Sequence, residues 1–417
     1  MAESDLPTGP VGQRWCDGAR HRRWLEQQGQ RLLDFSKPSR VPGGFAGLDV
    51  QGNLPPGARP ELIITARMTH AYGLAAMQGL PGSMPLVDHG IDALLGALKD
   101  ARHGGWDDGS GRKMAYAHAF VALAASTASL AERPGAEALL ADITEVIEAR
   151  FWSDAEGVMR DSYSLDWSQE EDYRGANANM HSVEAFMAIA DATGQGIWRA
   201  RALRICERFI HGIASQHDFC VVEHFDRGWN ILREYNRDTP DHDLRPFGMT
   251  PGHFLEWSHL LLKLEAALER SQMPIPSWLL PGAMGLFSAG TRYGWAADGA
   301  PGLVYTIGWD GAAHMPHRVH WAHAEAVTAA AALLQRTGEA AYEQWYRTFW
   351  DYLDLHMIDR RGGSWHNELD AQNRPIEQIY RGKADLYHAY QSTLTPLLAL
   401  SPGIGLAIRD AGLGPFG

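Results

Sequence analysis

Residues 250–257 read Thr250-Pro-Gly-His253-Phe-Leu-Glu256-Trp257, a helix-start signal followed by an apolar run that carries an imidazole and a carboxylate three positions apart. Four other stretches have the same character: Thr65-Ala-Arg67-Met-Thr-His70, Asn177-Ala-Asn-Met-His181, His320-Trp321-Ala-His323-Ala-Glu325 and Asp385-Leu-Tyr-His388. Each is a short polar cluster set into an apolar stretch with helical spacing. Outward from these clusters, apolar residues recur at helical spacing in about twelve segments, starting near residues 20, 60, 85, 113, 135, 175, 197, 250, 276, 318, 339 and 383.

The segments fall into pairs, separated by Gly/Asp/Trp-rich turns such as Gly104-Gly-Trp-Asp-Asp, His224-Phe-Asp-Arg-Gly-Trp and Trp365-His-Asn-Glu-Leu-Asp. The turns begin roughly 50 to 80 residues apart, a degenerate repeat of helix pair plus turn or small hairpin. Six such units predict a closed all-α toroid. One helix of each pair faces the axis and is rich in small residues, with its polar groups near one end. Segments 136–150 and 342–355 carry charges along one face, as outer helices do. The expected organisation is a flexible segment over 1–18, one toroidal catalytic domain over 19–401 and a peripheral Gly/Pro-containing tail over 402–417.

Composition narrows the function classes. The 417 residues carry a net charge of −13 with no basic stripe, so a nucleic-acid partner is not expected. Three cysteines, Cys16, Cys206 and Cys220, lack C-x-x-C spacing, which argues against a disulfide framework and a structural zinc. The N-terminus has no apolar leader and no run reaches bilayer-spanning length, so the reading is a cytoplasmic protein without a membrane partner. Fifteen tryptophans fit an aromatic-lined pocket as readily as a well-filled core.

Two clusters place histidine and carboxylate on one helix face: His253 with Glu256, and Asp385 with His388. A carboxylate beside an imidazole fixes its tautomer and raises its basicity, the chemistry of a poised acid/base. Asn177 and His181, at i and i+4, suit hydrogen bonding to sugar hydroxyls, with helix capping by Asn177 as the competing reading. Arg67 is either an electrostatic group for a developing anion or an ion pair locking two helices. Glu325 is costly to bury unless it meets a polar ligand or an arginine. The histidine-rich run from His314 to His323 is broken by Pro316 and lacks an H-E-x-x-H pattern, so no metal is expected. No phosphate loop, dinucleotide fingerprint or nucleophile elbow is present, which leaves no nucleotide cofactor and no serine hydrolase.

At Asn177-Ala-Asn-Met-His181, at residues 250–257 and at Asp385-Leu-Tyr-His388 the chain resembles the N-acylglucosamine 2-epimerase superfamily, in particular its mannose isomerase and sulfoquinovose isomerase branch. The likeness extends from Arg22-Arg-Trp-Leu-Glu through Ile64-Thr-Ala-Arg-Met and Val87-Asp-His-Gly-Ile to the last cluster. It implies an (α/α)6 barrel that interconverts aldoses and ketoses through a cis-enediol(ate), with no metal or other cofactor and a monosaccharide as substrate. On that resemblance His388 is the base between C2 and C1, and His253, supported by Glu256, is the second acid/base. Arg67 stabilises the enediolate, while His181 and Asn177 bind and open the ring. Tyr116, Trp321, Glu325 and Trp365 correspond to pocket-lining positions.

Sulfoquinovose-type members carry an arginine two residues before that of Arg245-Pro-Phe-Gly; here that place is Asp243, which would repel a sulfonate. Asn367 also stands where that type tends to have glutamine. A neutral hexose, D-mannose with D-fructose, is therefore the expected pair. A 2-epimerase begins with the same proton abstraction and is the alternative. Glycoside hydrolysis and non-catalytic sugar binding fit the histidine–carboxylate pairs less well. A homo-oligomer is left open.

Overall fold

In the computed structural model, which describes residues 14–412, the inner wall is built from helices that are apolar on almost every face. In chain order the helices are α1 (Ala19–Ser36), α2 (Leu62–Met77), α3 (Ser83–Leu95), α4 (Ala115–Leu130), α5 (Ala136–Val146), α6 (Ala176–Thr193) and α7 (Ile197–Cys206). They continue with α8 (Pro251–Arg270), α9 (Leu279–Ala289), α10 (His320–Thr337), α11 (Ala340–Tyr352), α12 (Tyr387–Leu394) and α13 (Ile404–Asp410).

The even-numbered helices α2 to α12 each pack on the next, and α12 returns to α2, which closes the ring. α3, α5, α7, α9 and α11 lie outside α2, α4, α6, α8 and α10 respectively, and α1 lies outside α12. This is an (α/α)6 barrel. Its sixth hairpin joins the two ends of the chain, so α1 completes the unit begun by α12. Four outer helices, α5, α7, α9 and α11, run directly into a π-helical turn, a local trace of the repeat.

Small residues let the layers approach. Ala322, Ala324, Ala326 and Ala329–Ala332 make up much of α10, and all are buried. On α3 a Cβ at Gly90 would fall 1.8 Å from Thr69 Oγ1 of α2, so only glycine permits that contact. The short strands sit at the face where inner helices begin: Arg112–Met114 precedes α4, Arg174–Gly175 precedes α6 and Arg318–Val319 precedes α10. They pair antiparallel with Ser162–Ser164, His224–Phe225 and Glu368–Leu369. These pairings tie the connecting segments around the mouth of the barrel.

The stretch set apart from sequence as a tail contains α13, which packs on α2 and α4 with Leu406 and Ile408 buried. The sequence of the expected N-terminal segment up to residue 13, and residues 413–417, lie outside the described residues. No helix among the described residues is long and apolar enough to cross a membrane.

Candidate active site

A cavity of about 670 Å³ opens at the mouth of the barrel. It is lined by Arg67 of α2, Tyr116 of α4, Asn177 and His181 of α6, His253 and Glu256 of α8, Trp321 of α10 and His388 of α12, together with Asp243 and Asn367 from connecting segments. Most of these residues occupy the first two turns of an inner helix. Six helices that are distant in sequence thus each bring one or two residues to the same cavity.

His253 and His388 share one arrangement. The Nδ1 of His253 lies 2.8 Å from Glu223 Oε1, and the Nδ1 of His388 lies 2.7 Å from Glu325 Oε1. Both carboxylates are buried. An Nδ1–H donated to a carboxylate leaves the Nε2 lone pair for the cavity, the tautomer of a general base. Trp321 stacks on the His253 ring at 5.0 Å and lies 6.0 Å from that of His388, with its Nε1 donating to Tyr380 Oη. Its position depends on Gly252, where a Cβ would fall 2.7 Å from the indole.

These partners correct the pairings expected from spacing. Glu256 does not support His253: it sits one turn deeper on α8, with Oε1 3.5 Å from His181 Nδ1. Asp385 does not serve His388 either. Its Oδ1 accepts the Tyr387 N–H, and its Oδ2 accepts from Arg67 Nη1 at 3.0 Å. An i, i+3 spacing places two side chains on one helix face, but partners elsewhere claim His253, His388 and Asp385, while Glu256 only approaches His181. Glu325, expected to meet a ligand or an arginine, lies beneath the cavity between two imidazoles, 2.7 Å from His388 Nδ1 and 2.6 Å from His259 Nε2.

The electrostatics divide the carboxyls. Burial, together with Glu325 and Glu184, pushes the Glu256 carboxyl well above its ordinary range, which favours the protonated form that can donate a hydrogen bond. Burial alone would raise Glu325, but the bonds from His259 and His388 outweigh it and hold that carboxyl low and ionised. Burial, reinforced by the charge of Arg67, drives His181 well below the usual imidazole range, so it is neutral. His320 also lines the cavity; burial lowers it to about 3, and neither ring nitrogen has a hydrogen-bond partner among the described residues.

Arg67 combines both readings made of it. Its Nη2 donates to Tyr116 Oη at 2.8 Å and its guanidinium lies 4.2 Å from the Phe120 ring centre, while the Asp385 bond joins α2 to the start of α12. Asn177 does not cap α6. Its Nδ2 donates to the Leu244 carbonyl at 3.0 Å and its Oδ1 has no partner among the described residues, so it braces the 239–249 segment beside the cavity. Asp243 stands at the mouth, half-exposed and 3.1 Å from His242 Nδ1. Trp365 does not line the cavity. Its backbone bridges to Ile358 and its fully buried ring meets Trp350 of α11 edge-on, in the outer layer.

Glu223 and His259 escaped the sequence reading. Glu223 is a lone charge in the apolar run Cys220-Val-Val-Glu223-His224-Phe, and His259 follows Glu256 at i+3; both signals were legible. Among the described residues one set, Glu256, Glu325 and His388, places three donor atoms within 4.8 Å of one another. Both Glu325 oxygens are already committed to imidazoles, one of them that of His388 itself, which leaves a poor donor set for a divalent cation. Activity is expected to survive exhaustive chelation in full. A loss restored by one added divalent ion would overturn that expectation.

Residues 43–392 match the N-acylglucosamine 2-epimerase (GlcNAc 2-epimerase) family. The chain is 54% identical over 400 residues to a D-mannose isomerase of Pseudomonas cannabina pv. alisalensis, covering 94% of this chain and 97% of that protein. It is 46% identical over 408 residues to a D-mannose isomerase of Thermobifida fusca, covering 95% and 99%. Among solved structures, a D-mannose isomerase aligns with a TM-score of 0.83 at 29% identity, covering 90% of this chain and 97% of that one. The cellobiose 2-epimerase of Spirochaeta thermophila aligns at 0.79 with 22% identity over 94% and 97%, a likeness of fold.

Proposed function

The chain belongs to the N-acylglucosamine 2-epimerase family, and from that premise we propose that it is a cofactor-independent aldose–ketose isomerase interconverting D-mannose and D-fructose. The observation that carries this reading is the pair of cavity-facing imidazoles, His253 and His388, each held at Nδ1 by its own buried carboxylate. Two such bases around one polar cavity suit the movement of protons on an open-chain sugar.

In this reading His388 Nε2 removes the C2 proton of the open-chain aldose, giving a cis-enediol(ate), and returns it to C1 of the ketose. His253 moves the balancing proton between O2 and O1. Arg67 offsets the charge that develops on the enediolate oxygen, and Glu256, in its protonated form, donates a hydrogen bond to a sugar oxygen. His181 and Asn177 flank the sugar and assist ring opening.

The test is incubation with mannose, fructose, glucose and lyxose in deuterium oxide followed by NMR. Interconversion of mannose and fructose, with solvent deuterium at C1 or C2, supports the proposal. Conversion of mannose to glucose without a ketose product favours 2-epimerisation, and no exchange into any sugar defeats both.

Asp243 bears on substrate choice. A carboxylate at the mouth can contact the end of the sugar distant from C1 and C2, where it alters discrimination through binding and disfavours an anionic substituent. Mannose should be isomerised well and a 6-sulfonated hexose poorly. Asp243→Arg is expected to narrow or invert that ratio, mainly by lowering KM for the sulfonated sugar. A higher kcat/KM for the sulfonated sugar in the unmodified protein would remove Asp243 from this role.

A further inference from the structure

On one face of α8, His253, Glu256, His259 and Lys263 follow each other at spacings of three, three and four, a column that descends from the cavity into the barrel. The upper two line the cavity and the lower two do not. Lys263 is 4% exposed. An ammonium buried this deeply is costly unless an anion and hydrogen bonds balance it.

Its anion is Glu184 of α6, whose Oε1 lies 3.9 Å from Nζ. The other Glu184 oxygen accepts the Tyr387 hydroxyl. Tyr387 precedes His388 on α12, and the two rings meet edge-on at 4.5 Å. Phe120 packs edge-on against Tyr387 at 5.0 Å, and the Arg67 guanidinium stands 5.1 Å from its centre. The tyrosine is thus a wall of the His388 site, fixed at its far end by Glu184.

We propose that Lys263 is a positioning residue for His388, acting through Glu184 and Tyr387 from beneath the cavity. This rests on the isomerase reading above. The other groups whose charge Lys263 feels are His70 of α2, His259 of α8 and Glu256. Burial lowers His70 to about 3 and His259 to about 4, so neither imidazole supplies a competing positive charge. Lys263 therefore balances the lower carboxylate. Burial raises the Glu184 carboxyl and the charge of Lys263 opposes that rise; without Lys263 it is an unpaired buried carboxyl beside Glu256 and Glu325, and its release or protonation weakens its hold on the Tyr387 hydroxyl and lets the wall beside His388 turn.

The experiment compares Lys263→Met, Lys263→Arg, Tyr387→Phe and the double variant Lys263→Met/Glu184→Gln with the wild type. Mannose isomerisation and the 15N shifts of the His388 ring are both measured. Lys263→Met is expected to lower kcat on the order of tenfold with KM unchanged. Lys263→Arg should recover most of that loss. Tyr387→Phe, which cuts the same arm without altering charge, should reproduce it. The double variant should exceed Lys263→Met in kcat, because the unpaired anion is gone. The His388 15N shifts should move in Lys263→Met and return in Lys263→Arg.

A folded Lys263→Met with wild-type kcat overturns the proposal. If that variant does not fold, wild-type kcat in Tyr387→Phe overturns it instead. A wild type that interconverts no sugar counts against the isomerase reading, while the 15N shifts, which need no substrate, still decide the role of Lys263.

Discussion

His388→Asn is expected to lower kcat for mannose isomerisation on the order of 10²-fold or more, the share of a required general base. The fold should be retained. The asparagine amide can still donate toward Glu325, so that buried carboxylate keeps a partner and the start of α12 keeps its place. The cavity wall loses only the outer part of one ring, so sugar binding, measured by calorimetry, should change little. His253→Asn should be impaired as well, since Glu223 holds that imidazole in the same way. A folded His388→Asn with near-native kcat would remove His388 from the mechanism and leave His253 as the base to be tested.

The barrel was legible because its inner helices cannot be anything but buried. A helix such as Ala115–Leu130, with fourteen buried residues, has no solvent face to offer, and polar clusters at the starts of such helices must meet at one end of a ring. Which helix closes the ring was not legible. α1 shows only an ordinary amphipathic stripe, and its partnership with α12 depends on packing between the two ends of the chain.

The site was legible as a set of residues and illegible as a set of pairs. His253, Glu256 and His388 were recognisable from local spacing, yet the carboxylates that orient the two bases come from 30 and 63 residues away. Short-range spacing fixes which face a side chain shares; it does not fix which neighbour wins its hydrogen bond. The upward shift of the Glu256 carboxyl was hidden for the same reason, since it follows from burial and from Glu325 and Glu184 arriving on other helices. Trp365 failed differently. Its indole is equally suited to a pocket or a core, and the bridge to Ile358 turned it toward α11.

The second large effect is expected at Glu325, because one carboxylate there orients two imidazoles. Glu325→Gln preserves shape and removes the charge, and it offers only one acceptor where there were two. The amide must point its oxygen at either His259 or His388 and its NH2 at the other. If the NH2 faces His388, the Nδ1 of that ring must accept, the proton moves to Nε2, and the cavity meets a donor where the mechanism needs a base. If the NH2 faces His259, the tautomer of His388 survives but its Nδ1–H loses the charged acceptor for a neutral one. Either outcome lowers kcat, on the order of 10²-fold where the tautomer is reversed, with KM changed far less because Glu325 lies beneath the cavity and does not line it. Glu325→Asp keeps the charge but shortens the reach, so it should fall between the wild type and the glutamine variant. A Glu325→Gln enzyme with native kcat would show that His388 does not act through an Nδ1–H held by this carboxylate.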